Sequence, residues 1–319
     1  MAGEFELIER YFTGRGALRD DVALGVGDDG AVLDIPPGQQ LVAAADTIVE
    51  GVHFLADAAP ADVGYRALAV NLSDLAAMGA TPAFALLCLT HPDGDDHWCE
   101  AFAAAFDALL RLHRVALVGG DTTRGPLAVS VQAMGFVPRG QALTRRGARP
   151  GDLIYVTGWP GDAAAGLAIE KGTLAARGAD RAWLVNRFRR PEPRVEFGQR
   201  LRGIASACID VSDGLAIDLA RLLEASGVAG QLRAQALPLS RALFALAGAE
   251  RARDYALYGG DDYELLFTVP AERRAELAAL QGQGAPAVHC IGEVAAGSGL
   301  RIRADGADLP VRGYDHFRT

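Results

Sequence analysis

At 319 residues the chain is longer than one comfortable hydrophobic core, so two domains are expected. Half of the residues are hydrophobic, 22% are charged and the net charge is −9 with no basic run, which argues against nucleic acid and anionic membranes as partners. Lys171 is the only lysine and no glycine-rich loop precedes it, which excludes a Walker A site and a protein-kinase site.

The acidic opening MAGEFELIER is unlike a basic-then-apolar signal peptide, and no apolar run approaches membrane-spanning length, so a cytoplasmic protein is expected. Phe5, Ile8 and Phe12 predict a short amphipathic helix. GVGDDGAVLDI is a glycine-rich turn that presents Asp28 and Asp29, open to reading as an ordinary turn or as a ligand-bearing loop. LVAAADTIVEGVHF predicts a strand ending in Asp46, with His53 just beyond.

VNLSDLAAMGATP closes a helix that begins near Asp62: Leu68, Leu72 and Leu75 recur at helical spacing, and Gly79 with Pro82 supplies the stop. Asn71 and Asp74 share the adjacent stripe. A mid-helix carboxylate flanked by leucines caps nothing, and it is costly to bury unless a cation pairs with it. It either skirts the edge of the stripe or meets a metal ion. A strand AFALLCLT, a helix over 95–113 and a strand VALVGG follow. That last strand runs into GGDTTRG, which suits either a hairpin or a close backbone approach to an anion. LAVSVQAMGFV ends the first half.

The Gly-, Pro- and Arg-rich stretch 144–152 reads as a linker, giving expected domains over 1–140 and 150–319. Next come a strand LIYVTG, a helix in GDAAAGLAIEKG, and helical sequence over 181–203 broken by Pro191 and Pro193. CIDVSDGLAIDLARLLEASG reads strand, turn, helix, with Asp210, Ser212 and Asp213 at the junction, where Ser or Asp also serves as an N-cap. YGGDDYELLFTV brings Asp261, Asp262 and Glu264 into another strand. Strands near 288–294 and 300–303 precede the terminal GYDHF. The four cysteines lack CxxC spacing and read as buried small hydrophobes.

Asp29, Asp46, Asp74, Asp121, Asp210 and Asp213 mostly sit at strand ends or beside glycines, where side chains from different elements can converge. Hard oxygen ligands without His or Cys clusters favour Mg²⁺, the usual companion of phosphoryl transfer.

Taken together, GEFELI, GDDGAV, DTIVEGVHF, ALAVNLSDLAAMGATP, GGDTTRGPL, ALTRRGARPGD, VTGWPGDAAAGLA, IDVSDGL, GGDDYEL and GYDHF resemble the thiamine-monophosphate kinase family, within the superfamily of aminoimidazole ribonucleotide synthetase. The resemblance implies an α/β fold of the α+β type: two α/β domains with mixed or antiparallel sheets flanked by helices, the N-terminal one mediating homodimerisation. It also implies transfer of the ATP γ-phosphate to thiamine monophosphate. Carried over by motif, Mg²⁺ ligands fall on Asp29, Asp46, Asp74, Asp121, Asp210 and Asp213. Nucleotide contacts fall on Gly120, Asp121, Arg145 and Ser212, with Arg145 stabilising charge, and substrate contacts on His53, Asp261 and Tyr314. No general base is expected, because the nucleophile is an ionised phosphate oxygen. The chain departs from the family at Asp261, where Glu is usual, and at Ala44 and Ala45, where Ser and Thr are usual. Alternative readings are an aminoimidazole ribonucleotide synthetase-like enzyme and a non-catalytic metal- and nucleotide-binding protein.

Overall fold

The computed structural model describes residues 4–280, 282, 284–314 and 317. Backbone contacts divide the chain into two compact units, the first comprising Met1–Leu75 and Ala80–Gly140, the second Ala76–Gly79 and Gln141–Thr319.

In the first unit, α1 (Glu4–Leu7) runs into a π-type turn over Ile8–Phe12. The wider turn buries Tyr11 beside Leu7 and Phe12 and leaves Ile8 only partly covered, so of the helical stripe expected from sequence Phe12 faces the core, while the Phe5 side chain lies outside the described residues. The short strands β1 (Val22–Leu24) and β2 (Val32–Leu33) pair antiparallel around the GDDG turn. Then follow β3 (Gln39–Val49), α2 (Pro60–Ala77), β4 (Thr81–His91), α3 (Asp96–Leu112), β5 (Ala116–Arg124) and β6 (Ala128–Pro138). The larger sheet has the order β3-β6-β4-β5. Only the β4–β5 pair is parallel, and α3 supplies the crossover that a parallel pair requires.

The α2 stripe buries Leu68, Leu72 and Leu75 completely. The helix stops where Gly79, at φ 64, sends its N–H to the Ala76 carbonyl while Ala80 N–H reaches the Leu75 carbonyl. Asp95 caps α3 by accepting the Trp98 N–H at 2.7 Å. On its inner face Trp98, Phe102 and Phe106 stack in sequence. Two strands are longer than expected. β3 continues three residues past Asp46, and GGDTTR lies within β5, because parallel pairing with β4 carries through the glycines.

The second unit contains β7 (Leu153–Thr157), α4 (Asp162–Glu170), α5 (Gly178–Arg189), α6 (Val195–Leu201), β8 (Ala207–Asp210), α7 (Leu215–Ser226), β9 (Ala229–Arg233), α8 (Arg241–Tyr258), β10 (Leu265–Val269), α9 (Arg274–Leu280), β11 (Val288–Ala295), β12 (Gly299–Ala304) and β13 (Ala307–Leu309). Its sheet has the order β13-β12-β9-β11-β7-β10-β8 and is antiparallel except for β9 with β12. Every residue of β10 is buried, which explains its uninterrupted LLFTV run. Leu215, Leu219, Leu222 and Leu223 of α7 pack with Ile154, Ile209, Leu266 and Ile291 of the sheet. A second core joins α4, α5 and α8 through Ala165, Leu184, Val185, Leu243 and Ala252.

The segment that reads as a linker is held against this unit, with the Thr144 carbonyl accepting the Cys208 N–H at 2.8 Å and the Ala148 N–H reaching Ser226 Oγ. The four cysteines are free. Cys99 and Cys208 are buried as expected, whereas Cys88 is exposed, because strand alternation turns it to the open side of the first sheet.

Candidate functional site

The candidate residues divide between the two units. In the first, Asp46 is tied to α2: its N–H donates to Asn71 Oδ1 at 3.0 Å, while Asn71 Nδ2 donates to the Ala67 carbonyl. Asn71 is fully buried and Asp74, one turn further along the same helical face, is partly exposed. The stripe noticed in the sequence thus delivers Asp74 to the side on which α2 holds β3. His53 turns back onto the end of that strand, where its Nδ1 accepts the Val49 N–H at 3.1 Å. Asp29 is exposed in the turn between β1 and β2, and its N–H donates to the Asp28 carboxylate.

Pairing places Asp46 on one rung with Val131, Leu87 and Gly120, and Asp121 on the next with Cys88, Ser130 and Thr47. Only glycine suits position 120: φ is 147, and a Cβ there would stand 1.7 Å from the Leu87 carbonyl oxygen. Beside this strand lies a cavity of about 390 Å³. Leu7, Phe12 and Leu89 give it an apolar wall, and Thr122, Thr123 and Arg124 a polar one. Its size and lining suit a small organic ligand.

In the second unit the structure gathers residues that are far apart in sequence. Asp210 ends β8 and is buried. The Ser212 carbonyl accepts the Asp261 N–H at 2.8 Å, and the Asp213 carbonyl accepts the Tyr314 N–H at 2.9 Å. Ser212, Asp213, Asp261 and Tyr314 therefore surround one turn. Arg145, exposed, lies in the same unit, where its carbonyl accepts from Ser226 Oγ at 2.9 Å. Asp315 and His316 of the GYDHF motif lie outside the described residues.

Sequence reasoning missed Asp218. This buried side chain accepts the N–H groups of Ser212, Asp213 and Gly214 on Oδ2, at 3.0–3.1 Å, and Arg221 on Oδ1. Its carboxyl is pushed up to about 7, first by burial and then by the charges of Asp210 and Asp213. The one readable signal was an acid in the first turn of a helix that follows a turn rich in donors. Arg221 also pairs with Asp213.

Glu264, singled out only as part of an acidic turn, is completely buried. It accepts from Thr157 Oγ1 at 2.6 Å, Arg187 Nη2 at 2.6 Å, and Arg194 Nε and Nη2 at 2.7 Å. Burial would raise its pKa, but the Arg194 charge and hydrogen bonds, then Arg187 and Thr157, hold it below the ordinary value. Gly158 admits this carboxylate, since a Cβ there would stand 2.0 Å from Oε1.

No group of three or more His, Cys, Asp or Glu side chains among the described residues is arranged to hold a metal ion. The donor type nevertheless fits a hard cation bound partly through phosphates and water: the oxygens are carboxylate, and the charges of Asp210 and Asp213 both act on Asp218.

Comparison with known proteins agrees with this division. Residues 27–137 match the family described as AIR synthase related protein, N-terminal domain, and residues 149–305 match its C-terminal domain. The chain is 50% identical to thiamine-monophosphate kinase of Escherichia coli (strain K12) over 321 residues, covering 99% of both chains. It is similar to the crystal structure of thiamine-monophosphate kinase from Stenotrophomonas maltophilia K279a, with 49% identity, a TM-score of 0.85 and coverage of 91% of this chain and 93% of that one. It also resembles a structure of AaThiL complexed with AMPPCP and TMP, with 32% identity, a TM-score of 0.80 and 92% of each chain covered. From near-complete alignment at half identity, and from both domains in order, the chain belongs to the thiamine-monophosphate kinase family.

Proposed function

We propose that the protein transfers the γ-phosphoryl group of ATP to thiamine monophosphate, giving thiamine diphosphate and ADP. The observation that carries this reading is 50% identity over 99% of both chains to a thiamine-monophosphate kinase. The AaThiL complex, at 32% identity, supports the same pair of ligands.

In the reaction a terminal phosphate oxygen of thiamine monophosphate attacks the γ-phosphorus of ATP, forming one P–O bond as the bond to the β-phosphate oxygen breaks. The attacking oxygen is ionised at neutral pH, so no residue removes a proton. The residues have to bring two anions together and orient them in line. Gly120 lets β5 run close against the Leu87 carbonyl of β4, and the cavity beside Thr122–Arg124 supports a nucleotide site along that strand. Ser212 and Arg145 are the proposed nucleotide contacts in the second unit, with the Arg145 guanidinium neutralising charge on the transferring group. His53, Asp261 and Tyr314 are the proposed contacts to thiamine monophosphate. Asp29, Asp46, Asp74, Asp121, Asp210 and Asp213 are the proposed ligands to Mg²⁺. When bound, Mg²⁺ would screen the phosphates and polarise the transferring group.

Leu24, Val32, Ile35 and Leu41 are exposed apolar residues of the first unit, which supports the N-terminal domain as the surface for homodimerisation. No helix among the described residues is long and apolar enough to cross a membrane, and we propose a cytoplasmic location. The test is a coupled assay of ADP release. ADP formation that depends on thiamine monophosphate supports the kinase, while ATP turnover with the aminoimidazole ribonucleotide synthetase substrate alone, or nucleotide binding without turnover, rejects it.

A further inference from the structure

The loop 259–264 carries two consecutive carboxylates with opposite fates. Asp261 is partly exposed beside Ser212, whereas Asp262 is 2% exposed. Asp262 Oδ2 accepts the Gly161 N–H at 2.7 Å and Oδ1 accepts the Ala163 N–H at 3.3 Å. These are donors at the N-terminus of α4, which receives no side-chain cap from Gly161 itself. The cap comes instead from a residue 101 positions further along the chain.

Asp261 and Tyr263, on either side, have φ of 70° and 51°. Side chains other than glycine rarely adopt this left-handed backbone, and it persists only where the surroundings over-determine it. Here the main chain is pinned on one side, where Asp261 N–H and Tyr263 N–H donate to the Ser212 and Val211 carbonyls, each at 2.8 Å. The Asp262 side chain pins the other. Tyr263 Oη also comes to 3.5 Å from Asp261 Oδ1. Burying a carboxylate there works against electrostatics: burial pushes the Asp262 carboxyl well up, and Asp162 adds to the effect. A mere cap could be uncharged. What Asp supplies beyond Asn is a pair of acceptor oxygens for two converging N–H groups.

We propose that Asp262 is a positioning residue for the acceptor substrate, clamping its loop to the start of α4 so that the left-handed Asp261 directs its carboxylate at thiamine monophosphate. The proposal rests on the reading of Asp261 as a substrate contact.

The test measures KM for thiamine monophosphate, KM for ATP, kcat and Tm in D262N, D261A and the double variant. A positioning role raises KM for thiamine monophosphate in D262N by about tenfold, within the coupling range of contacting residues, with KM for ATP unchanged. The double variant should then be no worse than D261A. If D261A raises that KM while D262N lowers only Tm, or if the two effects multiply, Asp262 is a structural cap and the proposal fails alone. If D261A leaves KM unchanged, the reading of Asp261 falls and takes the proposal with it. Should D262N not fold, D262S, which keeps one oxygen in less volume, carries the same measurements.

Discussion

Replacing Glu264 with Gln preserves volume and removes one charge, so it isolates what the buried carboxylate does for the second unit. In the native protein both oxygens are saturated by Thr157, Arg187 and Arg194. In E264Q an NH₂ group must face donors that formerly met an oxygen, and two guanidinium groups, with side chains only 10% and 12% exposed, lose their buried partner. Glu192 reaches Arg194 at 2.9 Å but is 65% exposed, so water screens it and it replaces little. Breaking one side of a buried ion cluster costs about 3–5 kcal/mol. For a domain of this size, that corresponds to a fall in Tm of roughly 6–20 °C. The pH dependence has a definite sign. Because the folded-state pKa of Glu264 lies below its ordinary value of 4.5, its stabilisation is fully present above that value and is lost as pH falls through the folded pKa. Thermal unfolding of wild type and E264Q, followed by circular dichroism at neutral pH and at successively more acidic pH, should show a wide gap that narrows in acid. A Tm difference of less than about 2 °C at neutral pH, or a gap that widens on acidification, would refute the argument.

Two further substitutions probe the first unit. D74N, which keeps shape but removes charge, should lower turnover at limiting Mg²⁺ by at least about tenfold; wild-type turnover under that condition would remove Asp74 from the ligand set. G120A places a Cβ against the Leu87 carbonyl oxygen and should weaken both ATP binding and folding, whereas G140A, also at positive φ but with nothing within 4 Å, should cost far less. Equal loss of ATP affinity in the two variants would show that the close approach at Gly120 is not what matters.

How much of this was legible in sequence depends on the distance over which each feature is determined. The α2 stripe could be read because leucines at helical spacing and the glycine stop act within a few residues. The extent of β5 could not: GGDTTR looks like a turn locally, and only pairing with β4 keeps it extended. The aspartates next to glycines were identifiable as candidates, but which of them meet was not. Asp213 and Tyr314 are joined by a main-chain hydrogen bond between positions a hundred residues apart, which no periodicity records. The buried acids are the clearest case. Glu264 finds its partners 70 to 107 residues away, so it looked identical in kind to Asp261, its partly exposed neighbour in the same motif. Asp218 was hidden by appearing as one more acid in an amphipathic helix.

The departure at Ala44 and Ala45 becomes a sharper experiment once the register is known. Both residues lie inside β3, opposite Ala133 and Gln132, with Asp46 next. Strand alternation puts Ala44 on the face of Asp46, which α2 approaches through Asn71, and Ala45 on the face of Thr47 and Ser130. A hydroxyl at position 44 can therefore join the cation proposed at Asp46 and Asp74, while one at 45 meets the existing Thr47–Ser130 hydroxyl pair. Were Mg²⁺ held there, water would fill the position that the alanines leave open, which Mg²⁺ tolerates readily. Exchanging that water for a fixed hydroxyl is worth on the order of 1 kcal/mol. A44S should then lower the Mg²⁺ concentration for half-maximal rate by less than about tenfold, since tenfold requires 1.4 kcal/mol. A45T should shift it less. The assay is a Mg²⁺ titration of each variant at saturating ATP and thiamine monophosphate. If A45T improves Mg²⁺ affinity and A44S does not, the cation lies on the other face of β3; if neither moves it, the main chain is the ligand and the alanines carry no penalty.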